Sequence, residues 1–177
     1  MNKSIFLSYP KPFNKQQEDF IQTISVYLES RGIVPRTLGV TDYDMNAPLT
    51  AIRRLMHESN GLITIAFRRT LIKNGEGKPG TPHAFKLKDK WITSPYSHIE
   101  PAMAFQIGLP VLVLREEGVI SDGILEKGVL GTYMPEFDLS KPGTEYFASN
   151  EWKQMITQWE GYVSRVVETK GKPPQLY

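Results

Sequence analysis

The sequence predicts an open, mainly parallel α/β sheet of four to five strands with helices on both faces. Short apolar runs bounded by glycine or proline alternate with longer stretches whose apolar residues recur at helical spacing, which is the pattern of βαβ units. A chain of 177 residues is long enough for one well-cored domain and too short for two. We therefore expect a single domain over residues 1–177.

The beginning of the chain predicts a strand followed by a helix. The run "SIFLSY" at 4–9 is apolar and is ended by prolines, as expected of a buried strand. Residues 14–31 have helical spacing, with Asn14 as the N-cap and Gly32 as the stop. The apolar face of this helix comprises Phe20, Ile21, Ile24, Tyr27 and Leu28.

Two strands flank a second helix in the next part of the chain. "IVPRTL" at 33–38 predicts a short edge strand, because Pro35 has no N–H to donate to a neighbouring strand. Pro48 marks the first turn of a helix over 48–59. "GLITIAF" at 61–67 is rich in β-branched and aromatic residues and predicts another strand.

The second half of the chain supplies two helices and one clear strand. Residues 95–108 predict a helix, and "PVLVL" at 110–114 predicts the strand that follows it. Residues 150–169 predict a strongly amphipathic helix. Its inward face comprises Trp152, Met155, Ile156, Trp159, Val163 and Val166.

Three segments are less regular. We predict residues 68–94 as a basic insertion loop and residues 170–177 as a flexible tail. The sequence does not decide whether residues 115–148 form a fifth strand. The insertion carries many more basic than acidic side chains, so it is either a lid that attracts phosphates, a solvated loop or an assembly contact. Its basic residues are Arg68, Arg69, Lys73, Lys78, Lys86, Lys88 and Lys90.

Composition and charge exclude several classes of protein. The net charge of +2 is too small for non-specific binding to nucleic acids, and the longest apolar stretches are too short to span a membrane. No signal peptide is expected from the N-terminal sequence. The absence of cysteine removes disulfides and thiolate chemistry and fits a reducing compartment. We expect a cytoplasmic protein without nucleic-acid or membrane partners.

A single carboxylate stands out in the stretch "SPYSHIEPAMAFQIGLPVLVL". Glu100 is its only acidic residue up to Leu114, and no lysine or arginine accompanies it. In open α/β sheets, ligands bind outside the carboxyl ends of the strands, and the helix that carries Glu100 begins at that edge. The residues alone leave two interpretations open: a reactive group near a ligand, or a helix-start residue favoured by the helix dipole.

Three segments, in the same order, resemble the sequence boxes of TIR domains. "SIFLSY" with the following helix, "RG" and strand resembles the first box, and "PLTAIRRLMHESNGLITIAF" resembles the second helix and third strand. Ser94, Tyr96, Ser97 and Glu100 reproduce the serine, aromatic, small residue and glutamate of enzymatic TIR domains. The resemblance covers about residues 3–115 and implies a flavodoxin-like, TIR-like fold.

This resemblance implies cleavage of the nicotinamide N-glycosidic bond of NAD, with Glu100 as the catalytic carboxylate. NAD is then a substrate, and no cofactor is expected. Nicotinamide is attached as a cation and leaves neutral, so one carboxylate that stabilises the positive charge on the ribose, or forms a transient covalent bond, suffices. The apolar neighbours Ile99, Ala102 and Met103 are expected to supply the low-dielectric surroundings.

The substrate-binding residues and the partners follow from the same resemblance. A stand-alone TIR protein resembles the signal-producing subunit of Thoeris anti-phage systems, whose product would be an ADP-ribose derivative, cyclised or transferred, that reaches a separate effector. Self-association through TIR surfaces is also implied. The substrate-binding residues implied are Phe6, Ser8, Tyr9, Lys11, Arg36, Tyr96 and Ser97.

Alternatives remain open at each level. Nucleoside 2-deoxyribosyltransferases and nucleotide N-hydrolases share this fold and a glutamate on the corresponding helix, although "SYPKPF" lacks their glycine-rich first loop. A non-catalytic TIR adaptor is the third possibility. Each of three substrate-binding residues also has a structural interpretation. Tyr96 could pack against its neighbours, Ser97 could cap the helix, and Lys11 could be a lysine exposed to solvent. His98 and Glu100, two residues apart on a helix, do not face each other, so no metal site is predicted.

Overall fold

The computed structural model describes residues 3–130 and 134–169 and confirms the predicted α/β class. The predicted tail 170–177 lies outside the described residues. The strands are β1 (Lys3–Ser8), β2 (Ile33–Arg36), β3 (Leu62–Ala66), β4 (Thr70–Gly77), β5 (Phe85–Ile92), β6 (Val111–Glu116) and β7 (Glu136–Phe137). The helices are α1 (Lys15–Ser30), α2 (Pro48–His57), α3 (Tyr96–Gln106), α4 (Gly143–Ala148) and α5 (Asn150–Glu168), with a short 3₁₀ turn at Gly123–Leu125.

Five of these strands form one parallel sheet in the order β2-β1-β3-β6-β7. Numbered among themselves, they follow the order 2-1-3-4-5 of flavodoxin-like folds. The predicted edge strand is confirmed, since β2 borders β1 alone and its Pro35 lies opposite Ile5. The question of a fifth strand is answered by β7, whose two residues pair with the end of β6.

Helices cover both faces of the sheet, as predicted. One hydrophobic cluster joins α1, α4 and α5 to the sheet, and a second joins α2 and α3 to the opposite face. Because side chains alternate along a strand, Ile5 and Leu7 belong to the first cluster, whereas Phe6 belongs to the second. Ser8, two residues after Phe6, therefore faces the side of the sheet that carries α2 and α3.

The predicted ends of α1 are confirmed. The side chain of Asn14 accepts a hydrogen bond of 2.9 Å from the backbone N–H of Gln17, which satisfies one of the free donors at the helix start. Gly32 has a φ of +72° directly after the helix, a conformation that glycine adopts without steric cost.

The prediction of a loop at 68–94 is wrong, because β4 and β5 pair there as an antiparallel hairpin. In β5, Phe85, Leu87 and Trp91 alternate with lysines, which gives one apolar and one basic face. The apolar face covers glycines of β4: a Cβ added at Gly77 would lie 2.1 Å from the ring of Phe85. The glycines and lysines that resemble a loop in sequence thus belong to a two-stranded ribbon.

Candidate active site

A cavity of about 410 Å³ opens at the carboxyl edge of the sheet, where ligands bind in folds of this type. It lies between the ends of β1 and β2, the beginnings of α2 and α3, and the start of the hairpin. The lining residues are Ser8, Tyr9, Pro10, Lys11, Leu38, Pro48, Ile52, Arg69, Ser94, Tyr96, Ser97 and Glu100.

Glu100 lies on the buried side of α3. The residues of this helix that face the sheet are Ser97, Glu100, Pro101 and Ala104, which recur at helical spacing. This stripe is polar in the first turns, beside the cavity, and apolar further along. Glu100 is consequently 8% exposed and still lines the cavity.

The hydroxyl of Ser8 donates a hydrogen bond to a carboxylate oxygen of Glu100. Burial of Glu100 raises its pKa from the ordinary 4.5 to about 7, and the hydrogen bond from Ser8 acts in the opposite direction by stabilising the ionised form. At neutral pH the carboxyl group therefore exchanges readily between its protonated and ionised states. A raised pKa of this kind, inside a cavity, is typical of functional sites.

None of the three neighbours that were expected to supply low-dielectric surroundings for Glu100 lines its cavity, and Met103 is half-buried against the cluster beneath α2 and α3. Ile99 is 37% exposed and Ala102 is also exposed, because both point away from the sheet. The apolar side chains at the cavity come instead from other elements: Ile52 of α2 and Leu38, which follows β2. Burial of the carboxylate is thus a result of tertiary packing.

Five of the predicted substrate-binding residues lie together at the cavity. Tyr96 lies at the start of α3 and is 41% exposed, so its ring is available to a ligand. Ser97 is buried, 3.3 Å from the hydroxyl of Thr93. Burial raises the pKa of the Tyr9 phenol, opposed by a hydrogen bond with Thr37. The full set is Ser8, Tyr9, Lys11, Tyr96 and Ser97.

Two other predicted residues do not reach the cavity. Phe6 is 2% exposed and packs in the cluster beneath α2 and α3, on the same side of β1 as Ser8 but further from the sheet edge. Arg36 is occupied by two carboxylates: its guanidinium lies 2.5 Å from Asp42 and 2.7 Å from Glu58. Neither side chain lines the cavity beside Glu100.

Arg69 is a cavity residue that the sequence did not single out. It was predicted as one of several cations in the segment 68–94, and the structure places it among the residues that line the cavity. Among the described residues, neither Arg69 nor Lys11 is part of an ion pair. The cavity therefore offers two free cations to an anionic ligand.

A second buried carboxylate, Glu116, fixes the base of the hairpin. It accepts hydrogen bonds from the backbone N–H of Arg68 at 2.8 Å and from the side chain of Gln17 at 3.1 Å. The guanidinium of Arg68 turns away from the cavity, donates to the carbonyl of Glu117 at 2.6 Å and lies over the ring of Trp91. These contacts orient the chain so that the next residue, Arg69, reaches the cavity.

Neither a metal-binding group nor a membrane-spanning helix is found among the described residues. Within 3–130 and 134–169, no group of three or more histidine, aspartate or glutamate side chains is placed to hold a metal ion. In the same part of the chain, no helix combines the length and the apolar character needed to cross a bilayer.

Comparison with solved structures gives distant similarities, which include the following two. The chain resembles the structure of the Clostridium botulinum CMP N-glycosidase BcmB, with a TM-score of 0.48 and 19% identity over 81% of this chain and 93% of that one. It also resembles the TIR domains of the activated Roq1 resistosome that recognises the pathogen effector XopQ, with a TM-score of 0.42 and 13% identity over 94% of this chain and 84% of that one. No family model and no curated protein matches the sequence. At these TM-scores neither similarity assigns an activity, so the chemistry has to follow from the side chains at the cavity.

Proposed function

We propose that this chain cleaves the bond between nicotinamide and ribose in NAD, with Glu100 as the catalytic carboxylate. The observation that carries the proposal is a buried carboxylate that lines a cavity at the carboxyl edge of the sheet and is held by Ser8. Lys11 and Arg69 add positive charge for the phosphates, and Tyr96 presents an aromatic ring to the nicotinamide.

The chemistry needs one carboxylate and no general acid. When the C1′–N bond breaks, its electron pair goes to the nicotinamide ring, which loses its positive charge and leaves neutral. Positive charge then develops on the ribose, where the ionised Glu100 stabilises it or bonds transiently to C1′. An acceptor hydroxyl, amine or water next bonds to C1′ and releases its proton to solvent; where Glu100 had bonded to C1′, that bond breaks and the carboxylate leaves as an anion.

The protonation state of Glu100 fits this role once the substrate is bound. In the free protein its pKa is about 7, so about half of the molecules carry the charge at neutral pH. The cationic nicotinamide ring beside the carboxylate favours the ionised form and lowers this pKa. The substrate thereby promotes the charge state that its own cleavage needs.

The same pKa favours a second candidate function. A nucleotide with a neutral base needs a proton on the leaving base, and a carboxyl group with a pKa of about 7 is protonated in about half of the molecules at neutral pH. With Glu100 as the general acid, the chain would be a nucleotide N-hydrolase or a nucleoside 2-deoxyribosyltransferase. In that role Glu100 acts in its protonated state, whereas NAD cleavage needs the ionised state, so the pH dependence of cleavage separates the two.

The proposed NAD reaction includes a role for its product. By the resemblance to TIR proteins of the Thoeris type, the ADP-ribosyl group is cyclised or transferred to a small nucleophile, and the product activates a separate effector in anti-phage defence. Self-association through TIR surfaces belongs to the same proposal.

Mass spectrometry of purified protein incubated with NAD, CMP and deoxynucleotides tests these functions. We expect nicotinamide and an ADP-ribose product from the wild type and from Glu29→Gln, an exposed control on α1, and no product from Glu100→Gln. Parallel samples contain lysate from phage-infected cells, which supplies a trigger if one is needed. Release of base from CMP or deoxynucleotides with NAD intact favours the second candidate. Intact substrates throughout, together with an unchanged phenotype of Glu100→Gln cells, indicate a non-catalytic adaptor.

A further inference from the structure

We propose that a second cavity, directly beside the Glu100 cavity, binds the adenosine half of a dinucleotide substrate. This inference rests on the proposed NAD cleavage and adds a substrate class: the site selects dinucleotides over mononucleotides such as NMN. The second cavity has a volume of about 510 Å³ and lies between the segment after β1, the first turns of α1 and the turn after β2.

The two cavities adjoin each other. Three residues, Tyr9, Lys11 and Leu38, line both, so a ligand long enough to extend over Lys11 could occupy the two cavities together. Each volume falls within the range of about 300–1,000 Å³ that is usual for small-molecule sites. We call the cavity that contains Glu100 the first compartment and its neighbour the second compartment. Glu100 lines the first compartment and not the second.

The second compartment has the chemistry of a nucleoside site. Its walls are apolar, formed by Pro12, Ile21 and Val40 together with the ring of Tyr9, and they suit the flat faces of a purine. Glu18 supplies a carboxylate at this compartment. Carboxylate oxygens accept hydrogen bonds from the exocyclic amine of adenine and from ribose hydroxyls.

The cations are placed where a diphosphate would have to pass. Lys11 is exposed, lines both compartments and is part of no ion pair within the described residues. With the nicotinamide ribose at Glu100, the diphosphate lies near Lys11 and Arg69, and the second nucleoside continues into the compartment lined by Val40. A mononucleotide ends at the cations and leaves that compartment empty.

A substitution that fills the second compartment tests the inference. Val40 is 55% exposed, so Val40→Trp reduces the space without disturbing a packed core. Tyr43→Trp is the matched control, because Tyr43 is on the same segment, is 79% exposed and lines neither compartment. We expect Val40→Trp to lower kcat/KM for NAD relative to NMN by at least about tenfold, through KM, and Tyr43→Trp to leave this ratio unchanged. An unchanged ratio in Val40→Trp overturns the inference.

A binding measurement separates failure of this inference from failure of the proposed cleavage. Titration calorimetry with ADP and with ribose 5-phosphate needs no turnover. If neither NAD nor NMN is cleaved, the proposed function fails. The adenosine site is still supported if Val40→Trp weakens ADP binding by about tenfold and leaves the binding of ribose 5-phosphate unchanged. Equal ADP affinity in the wild type and Val40→Trp overturns the site, whatever the outcome for cleavage.

Discussion

The hydroxyl of Ser8 donates a hydrogen bond to the carboxylate of Glu100, which lies 92 residues further along the chain. Ser8 is the last residue of β1, and Glu100 lies in the first turns of α3, so this bond joins the edge of the sheet to the helix that covers it. It also stabilises the ionised carboxylate that burial disfavours. One contact thus contributes to both the position and the charge of the candidate catalytic group.

Replacing Ser8 by alanine should raise the pKa of Glu100 further above its ordinary range. The substitution removes the hydrogen bond that lowers this pKa and leaves the burial that raises it. We expect the pH profile of NAD cleavage to move to higher pH, and NMR titration of the labelled carboxyl group to report the same shift. Ser4→Ala is the control, because the Ser4 hydroxyl is buried in the same strand and has no hydrogen-bond partner among the described residues. Equal profiles for the two variants would contradict the role of Ser8.

The pH dependence of cleavage should identify the leaving group. If the substrate is NAD, Glu100 acts as an anion, and kcat/KM rises with pH to a plateau above about 7. If the substrate carries a neutral base, Glu100 acts as a proton donor, and kcat/KM falls as the pH rises through about 7. Initial rates with NAD and with CMP between about pH 5 and 9 distinguish the two cases, since kcat/KM reports the free enzyme.

Glu100→Gln should stabilise the fold at alkaline pH. Because burial raises the pKa of Glu100 from 4.5 to about 7, the folded state holds more protons than the unfolded state between these values. The contribution of Glu100 to stability is therefore greatest below about pH 4.5 and is lost as the pH rises to about 7. At pH 8 we expect the glutamine variant to be more stable by about 2–3 kcal/mol, with a much smaller difference near pH 5. Urea unfolding at both values, with Glu29→Gln as control, measures the effect, and a pH-independent difference would contradict it.

Arg69→Gln should weaken the binding of every phosphorylated substrate. Arg69 is exposed at the cavity, so the change removes a positive charge without loss of packing. We expect KM for NAD and NMN to rise together by about threefold to tenfold and the salt dependence of KM to weaken, with kcat nearly unchanged. Lys73→Gln, an exposed cation of β4 that does not line the cavity, is the control. A fall in kcat alone would place Arg69 in the chemical step instead.

Two glycines that both contact aromatic rings should respond differently to alanine. A Cβ at Gly61 would lie 2.8 Å from Val163 and 3.0 Å from Trp159, which α5 packs against the start of β3. We expect Gly61→Ala to cost about 1–3 kcal/mol of unfolding free energy. The nearest atoms to a Cβ at Gly77 are those of the Phe85 ring, which is 51% exposed and can move aside, so the cost of Gly77→Ala should be smaller. Thermal unfolding compares the two, and equal losses would contradict this account.

Much of the fold was predictable because its signals are local. Asn14 and Gly32 delimit α1, and the apolar stripe of α5 recurs at helical spacing, so neighbouring residues suffice to define both helices. The meeting of Ser8 with the helix of Glu100 followed from a rule of topology, since the carboxyl ends of parallel strands share one edge of the sheet. The substrate roles of these residues stay predictions.

The remaining features depend on contacts between distant segments. One partner of Arg36, Asp42, lies in the turn directly after β2, but the other, Glu58, follows α2, so the sequence around Arg36 did not show that two carboxylates occupy its charge. Arg68 and Arg69 are indistinguishable in sequence, and the position of Glu116 decides which of them turns toward the cavity. Phe6 and Ser8 lie on the same face of β1, so alternation alone does not distinguish them; the distance from the sheet edge places Phe6 in the core and Ser8 at the cavity.

The two borders of the sheet limit how copies of this chain can associate. At one border β2 is short and contains Pro35, which has no N–H, and at the other β7 offers two residues. Neither provides a long row of free backbone groups that a strand from another molecule could extend. Growth of a continuous intermolecular β-structure is therefore disfavoured at both ends. Assembly is therefore expected to involve the helices, the loops or the hairpin rather than the borders of the five-stranded sheet, and such contacts can be reversed by dilution, salt or a single substitution.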